Sequence, residues 1–229
     1  GYVGLTLAVA LSSLGDSVVG IDINEKIITA LCNGISHIYE PGLDDILGIL
    51  LKNQSLSFHT SFHDPSPNVH IICVGTPIKD SKPDLSALES TLVTISSSLK
   101  VDDLVILRST VPVGTTRDFV VPLLSNSTGL RPGIDFSILF CPERTIEGNA
   151  LIELKELPQV IGGYSKKCVE RGFAFWSRLC NSVNVTDSLE ASELVKLANN
   201  SFRDLSFAFS NELALIADTY NINAFNLVK

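Results

Sequence analysis

Residues 1–5, Gly1-Tyr2-Val3-Gly4-Leu5, read as the tail of a glycine fingerprint that turns a strand into a helix against a dinucleotide. In G-x-G-x-x-G the first glycine makes the tight bend, the second lets backbone approach the pyrophosphate, and the third lets helix pack on strand. Gly1 and Gly4 take the second and third places, with Tyr2 and Val3 between them in the phosphate turn. The first glycine and the strand that feeds it are expected upstream of Gly1, so the chain reads as part of a longer polypeptide cut within its own cofactor site. From Leu5 to Leu14 nearly every face is apolar, as in a helix buried against a sheet, and Gly15-Asp16 ends it. Ser17 to Ile21 is a short continuous apolar run, the signature of a strand buried on both faces. Asp22 closes it, 21 residues after Gly1, at the offset where a carboxylate accepts hydrogen bonds from adenosine ribose hydroxyls. A carboxylate there repels a 2′-phosphate, so the dinucleotide expected is NAD. The rival reading makes Asp22 the cap of a helix starting near Glu25.

The same alternation continues. Asn24 to Cys32 and Asp44 to Lys52 read as helices, the second entered through Glu40-Pro41-Gly42-Leu43. Leu56 to Thr60, Val69 to Val74, Leu104 to Ser109 and Phe136 to Phe140 read as strands, and Leu85 to Leu99 and Thr115 to Leu124 as helices. The fold class expected is α/β, a Rossmann-like, doubly wound parallel sheet. Beyond Leu151 come a helix to Glu156, a short strand at Gln159-Val160-Ile161 with Gly162-Gly163, a helix from Ser165 to Cys180 and a strand at Val183 to Val185. Ser188 to Tyr220 is then one long helical pattern, with Ser188 as N-cap, Glu190 at the positive end of the helix dipole and an apolar side running from Leu194 through Phe202, Leu205 and Phe209 to Ile216. It suits a connector between domains. The organisation expected is a dinucleotide-binding domain over residues 1–186 and a long linking helix over 187–229.

Composition narrows the function. With 45% hydrophobic residues the chain can fill a core, and 17 Lys+Arg against 25 Asp+Glu give a net charge of −8 without a basic stripe, which disfavours nucleic acid as a partner. Cys32, Cys73, Cys141, Cys168 and Cys180 are odd in number, widely spaced and in apolar contexts, pointing to reduced buried thiols in a cytoplasmic protein rather than disulfides or metal ligands. No run has the length of a membrane span, so no membrane role is expected.

In a doubly wound sheet the ligand lies across the carboxyl ends of the strands. Three loops there pair Pro or Gly with a hydroxyl or carboxylate: Gly75-Thr76-Pro77, Thr110 to Thr115, and Cys141-Pro142-Glu143-Arg144-Thr145-Ile146-Glu147-Gly148. Turn chemistry alone accounts for one such loop. Three at one sheet end point to a site. On the long helix Lys196, Asn200 and Arg203 share one face, where a partly desolvated lysine beside an amide can stabilise a developing oxyanion.

GYVGL, EPGL, CVGTP, STVPVGTT, the Pro-Glu-Arg loop with its Glu-Gly, VIGG and ELVKLANNSFRDLSFAFSNELALI together resemble the UDP-glucose/GDP-mannose dehydrogenase family, in order along the whole chain. The segments Asn200 to Asp204 and Ala208 to Glu212 look most like the branch acting on UDP-N-acetylhexosamines. The resemblance implies oxidation of a UDP-sugar C6 alcohol to the uronate by two hydride transfers to NAD, through a cysteine thioester. Alternatives are the UDP-glucose and GDP-mannose enzymes, a non-catalytic NAD-binding sensor module and a β-hydroxyacid dehydrogenase. By motif match, Lys196 and Asn200 resemble the oxyanion-stabilising pair, Thr110 the threonine that holds the reacting water, and Glu147 the carboxylate assisting thioester hydrolysis. Glu143 matches another active-site glutamate, and Arg144 and Arg203 are candidate substrate contacts. The family's nucleophile lies in a G-G-x-C segment that none of the five cysteines matches, so it is expected beyond residue 229. The resemblance also implies a homodimer formed through the long-helix region of the full-length protein.

Overall fold

The computed structural model describes residues 1–62 and 67–227, so residues 228 and 229 of the expected linking segment lie outside it. Helix α1 (Tyr2–Ser13) begins at once, with the Leu5 N–H donating to the Gly1 carbonyl at 3.1 Å. β1 (Val18–Ile21), α2 (Glu25–Cys32), α3 (Leu43–Lys52), β2 (Leu56–His59) and β3 (Val69–Ile72) follow. A hairpin absent from the sequence reading comes next, β4 (Ile78–Lys79) and β5 (Lys82–Pro83). Asp80 and Ser81 close it with φ of 50° and 60°, the left-handed pair that a two-residue loop requires. Neither is glycine, which hides the turn from sequence. α4 (Ser86–Ser96), β6 (Leu104–Leu107), a π-helical turn (Thr116–Val120), α5 (Val121–Thr128), β7 (Ser137–Phe140), α6 (Ala150–Glu156), β8 (Gln159–Gly163), α7 (Lys166–Trp176), β9 (Val183–Val185) and α8 (Leu189–Thr219) complete the order. The strands expected over 69–74 and 104–109 stop at Ile72 and Leu107, where the site loops begin.

The sheet is mostly parallel but comes in two pieces, β1 with β2 and a five-stranded sheet in the order β3-β6-β7-β8-β9. Helix α1 joins them. Leu5, Ala8 and Val9 pack with Ile28, Leu31, Leu43, Leu47 and Phe58, whereas Leu7, Ala10 and Leu11 pack with Leu104, Ile106 and Leu139. This explains an apolar pattern with no polar face: the helix serves two cores at once.

The fully parallel sheet read from sequence needs one correction, because β8 runs antiparallel to β7. Seven-residue α6 does not carry the chain back across the sheet, so β8 re-enters from the end where β7 left. Gln159, the first residue of β8, therefore stands at the site end. Helix α8 then lies over β8, and Gly162 permits it: a Cβ there would meet the Ser188 carbonyl at 2.2 Å and Ser192 Oγ at 2.5 Å.

The Ser188 side chain caps α8, accepting the Ala191 N–H at 3.1 Å. Leu189, Ser192 and Glu193 are buried in its first turns. Farther on, the apolar side read from sequence faces solvent, with Phe202 73% and Phe209 63% exposed.

Gly162→Ala should push α8 off β8 and cost about 1–3 kcal/mol, the range for overpacking a tight contact. Urea unfolding checks it; an unchanged midpoint contradicts the close approach.

Candidate functional site

Parallel register sets Ile72, Leu107 and Phe140 abreast on β3, β6 and β7, so the three loops leave the sheet side by side. With α1 and α8 they enclose a cavity of about 340 Å³. Tyr2, Val3, Gly75, Thr76, Thr110, Glu143, Glu147 and Lys196 all line it, joined by Cys73, Arg108, Ser109 and Thr145. A second cavity of about 500 Å³, lined by Tyr2, His37, Ile38, Tyr39, Glu147 and Gly148, shares Tyr2 and Glu147 with the first. Gly1, Gly4, Asp22, Arg144, Asn200 and Arg203 line neither. Asn200 is half-buried one turn beyond Lys196. Arg203 is exposed and lies 3.8 Å from Asp204, so the structure does not gather it into the site.

At the dinucleotide end, Gly1 N approaches Asp22 Oδ2 at 2.9 Å, setting the fingerprint turn against the closing acid of β1. Asp22 is not the helix cap: the Asn24 side chain accepts the Lys26 and Ile27 N–H groups, and Asp22 Oδ1 accepts the Asn24 N–H at 3.0 Å. Partial burial works against its charge, and the hydrogen bond from the Asn24 N–H works for it. Helix α1 has no side-chain cap and no acidic residue in its first turn, leaving its positive end for an anion. An added Cβ would meet nothing within 4 Å at Gly75, so backbone is bare there. These residues fit a dinucleotide pyrophosphate and ribose.

The opposite end of the cavity is built on Arg108, which is 2% exposed at the end of β6. It donates to Glu143 Oε2 at 2.5 Å, and to Cys141 Sγ and Gln159 Oε1 at 3.2 Å each. Its guanidinium stacks 4.7 Å from the centre of the Trp176 ring. Glu143 Oε1 also accepts the Arg144 and Thr145 N–H groups at 2.6 and 2.7 Å. Burial opposes the Glu143 charge, but Arg108 and these donors overcome it and keep the carboxyl below its ordinary value. Lys196 Nζ donates to the Glu143 carbonyl oxygen at 2.5 Å. Burial, helped by Arg203, Arg108 and Arg144, pulls its ammonium pKa down against the attraction of Glu143. A cation held half-buried beside the cavity can meet a developing negative charge.

Two more buried carboxylates brace the loops, and the sequence reading named neither as functional. Glu40, of the Glu-Pro-Gly-Leu stretch, accepts the Tyr2 hydroxyl at 2.5 Å, the Gly148 N–H at 2.9 Å and the Leu151 N–H at 3.2 Å. Burial and this carboxylate push the Tyr2 phenol up to about 12. Glu193 of α8 accepts from Gly114 and Thr116. Thr76 Oγ1 donates to the Thr110 carbonyl and Ser109 Oγ to the Val74 carbonyl, stitching the first two loops together. A lone arginine closing the apolar run Leu104 to Leu107 was the available signal for Arg108; His37 and Tyr39 carried none.

All five cysteines are free thiols. Burial raises the Cys73 thiol to about 11 and the Cys141 thiol to about 12. Cys168 and Cys180 are buried, and exposed Cys32 donates to the Phe58 carbonyl.

Residues 1–180 match the NAD-binding domain of the UDP-glucose/GDP-mannose dehydrogenase family, and residues 190–229 match its central domain. The chain belongs to this family. A UDP-N-acetyl-D-mannosamine dehydrogenase of Pyrococcus horikoshii is 36% identical over 230 residues, covering 100% of this chain and 55% of the relative. An NDP-N-acetyl-D-galactosaminuronic acid dehydrogenase of Ralstonia nicotianae is 34% identical over 240 residues, covering 100% and 55%. The solved Pyrococcus horikoshii structure superposes with a TM-score of 0.94 at 37% identity, covering 99% of this chain and 54% of that one. A GDP-mannose dehydrogenase ternary complex from Pseudomonas aeruginosa gives 0.93 at 29% identity, covering 100% and 54%. The chain thus spans about half the length of the family members it matches. Its cofactor is NAD, held in the family's NAD-binding domain.

Arg108→Met should cost about 3–5 kcal/mol, because it strands a buried carboxylate. Glu143 has a depressed folded-state pKa, so its stabilisation is present above its ordinary value of 4.5 and lost as pH falls through the folded value. Without Arg108 burial is opposed only by the loop donors, the folded-state value rises towards or past the ordinary one, and this acid-dependent loss shrinks. Circular dichroism against pH checks this; an acid limb coincident with wild type contradicts it.

Proposed function

We propose that this chain is the cofactor-binding part of an NAD-dependent nucleotide-sugar 6-dehydrogenase that oxidises the C6 alcohol of a UDP-N-acetylhexosamine to the carboxylate. The observation that carries the reading is the meeting of Lys196, Thr110 and Glu147 in one cavity that opens beside Tyr2 and Val3 of the fingerprint helix. Bound NAD supplies the hydride acceptor, twice per sugar. Gly1 to Gly4 and the open end of α1 hold its pyrophosphate, Asp22 its ribose, and Gly75, Thr76 and Thr110 its nicotinamide half. Lys196, held by the Glu143 carbonyl and aided by Asn200, stabilises the oxyanion that forms at C6. The Thr110 hydroxyl orients the water that attacks the thioester. Glu147, exposed at the cavity mouth, takes the proton from that water as the thiolate leaves. Glu143 and Arg144 shape the sugar side. The raised thiols of Cys73 and Cys141 support a nucleophile outside residues 1–229.

The N-acetylhexosamine preference is supported by the UDP-N-acetyl-D-mannosamine dehydrogenases among the relatives. The exposed apolar side of α8 supports a homodimer of the full-length protein, and five free cysteines support a cytoplasmic setting.

Full-length protein offered UDP-N-acetylmannosamine, UDP-N-acetylglucosamine, UDP-N-acetylgalactosamine, UDP-glucose and GDP-mannose should form about two NADH per sugar with one of the N-acetyl sugars. No NADH with any of them refutes the reading. Lys196→Met should lower kcat by about 10²–10³-fold, the cost of losing one oxyanion donor. Steady-state kinetics check it, and a near-normal kcat removes Lys196 from the chemistry.

A further inference from the structure

We infer that Glu193 is the positioning residue for Lys196, acting as a buried latch that fixes α8 against the Thr110–Thr116 loop. It is 0% exposed. One carboxylate oxygen accepts the Gly114 N–H at 2.5 Å, and the other accepts the Thr116 N–H at 2.8 Å and the Thr116 hydroxyl at 2.6 Å. All three donors come from the end of the loop that carries Thr110 and from Thr116, the first residue of the π-helical turn that continues it. All three are neutral, and among the described residues Glu193 makes no ion pair. Burying a carboxylate requires hydrogen bonds that replace those it made to water.

The geometry supplies that requirement. Two backbone N–H groups arrive at two different oxygens, so both atoms must be acceptors. A glutamine would turn an NH₂ donor toward one of them, and an aspartate is one methylene too short to bridge both. Glu193 and Lys196 are three residues apart on α8 and so share a face, which makes the latch and the lysine parts of one rigid turn. The contacts then form a closed circuit. Thr76 bonds the Thr110 carbonyl, the same loop bonds Glu193, Lys196 bonds the Glu143 carbonyl, and Glu143 bonds Arg108, two residues before Thr110. Opening the circuit at Glu193 lets α8 move relative to the loop, displacing the ammonium from the cavity. Arg117 with Glu190 makes a second, more exposed contact one turn earlier and stays in place when Glu193 is changed.

This inference rests on the proposed role of Lys196. In the full-length enzyme, with NAD and the nucleotide sugar it oxidises fastest, Glu193→Gln should lower kcat per folded enzyme about 10²-fold and leave both KM values within about threefold. A role confined to stability would lower the melting temperature and leave kcat per folded enzyme unchanged. A kcat within about threefold of wild type therefore overturns the proposal. Thr116→Ala removes only the hydroxyl donor and decides the matter if Glu193→Gln does not fold. It should lower kcat about tenfold at unchanged KM, and an unchanged kcat overturns the proposal. A wild-type enzyme that oxidises no nucleotide sugar defeats the parent reading and this one with it. An active wild type beside an unimpaired Glu193→Gln defeats this one alone.

Discussion

Buried carboxylates that capture the N–H groups of loops are the constraint on which the site depends. Glu40, Glu143 and Glu193 are 7%, 8% and 0% exposed, and each accepts backbone hydrogens from a loop at the carboxyl end of the sheet. A loop off a strand end has backbone donors that the sheet does not satisfy, and water normally supplies the acceptors. Here carboxylates supply them, from the Glu-Pro-Gly-Leu stretch, from the loop itself and from α8. Hydrogen bonds to a charged acceptor are stronger than those to a neutral one, so loops held this way are stiff without being deeply buried. Stiffness is what the proposed reaction would require of such a site, because reacting atoms must be held near their attack geometry.

The same economy appears in the packing. Helix α1 has no solvent face because it closes the core of the β1–β2 sheet with one side and that of the five-stranded sheet with the other. Its positive end thereby comes to rest beside Asp22 and the loops after β3 and β6. Burial of Leu7, Leu11 and Val9 thus places the anion-binding end as well as stabilising the fold. At the other side, Gly162 lets α8 sit on β8 closely enough for Lys196 to reach the loop after the adjacent strand β7 and Glu193 the loop after β6, two strands away.

Much of this was legible in the sequence because its signals are local. The apolar runs of β6 and β7, the glycine fingerprint, the 21-residue spacing to Asp22 and the face shared by Lys196 and Asn200 can each be read within a window of about three turns or one strand-helix unit. The three site loops were recognisable by their Pro, Gly and hydroxyl content. The partners of Arg108, Glu40 and Glu193 were not, since they lie 35, 108 and 77 residues away. A glutamate one turn before a lysine looks like part of a solvated stripe until the loop that covers it is known. The direction of β8 was hidden because α6 looks like a crossover helix yet is too short to act as one. Arg203 shares a face of α8 with Lys196 and Asn200, and in residues 1–227 its partner is the neighbouring Asp204.

The most direct test of the account is amide hydrogen exchange, read by NMR on the full-length protein, at Gly114, Thr116, Arg144, Thr145 and Gly148. Each of these N–H groups donates to one of the three carboxylates. If the carboxylates hold the loops as described, these amides exchange only through the large-scale opening that exposes the β6 and β7 strands, and at comparable rates. Exchange at the rate of a freely solvated loop, while the strands remain protected, would contradict it.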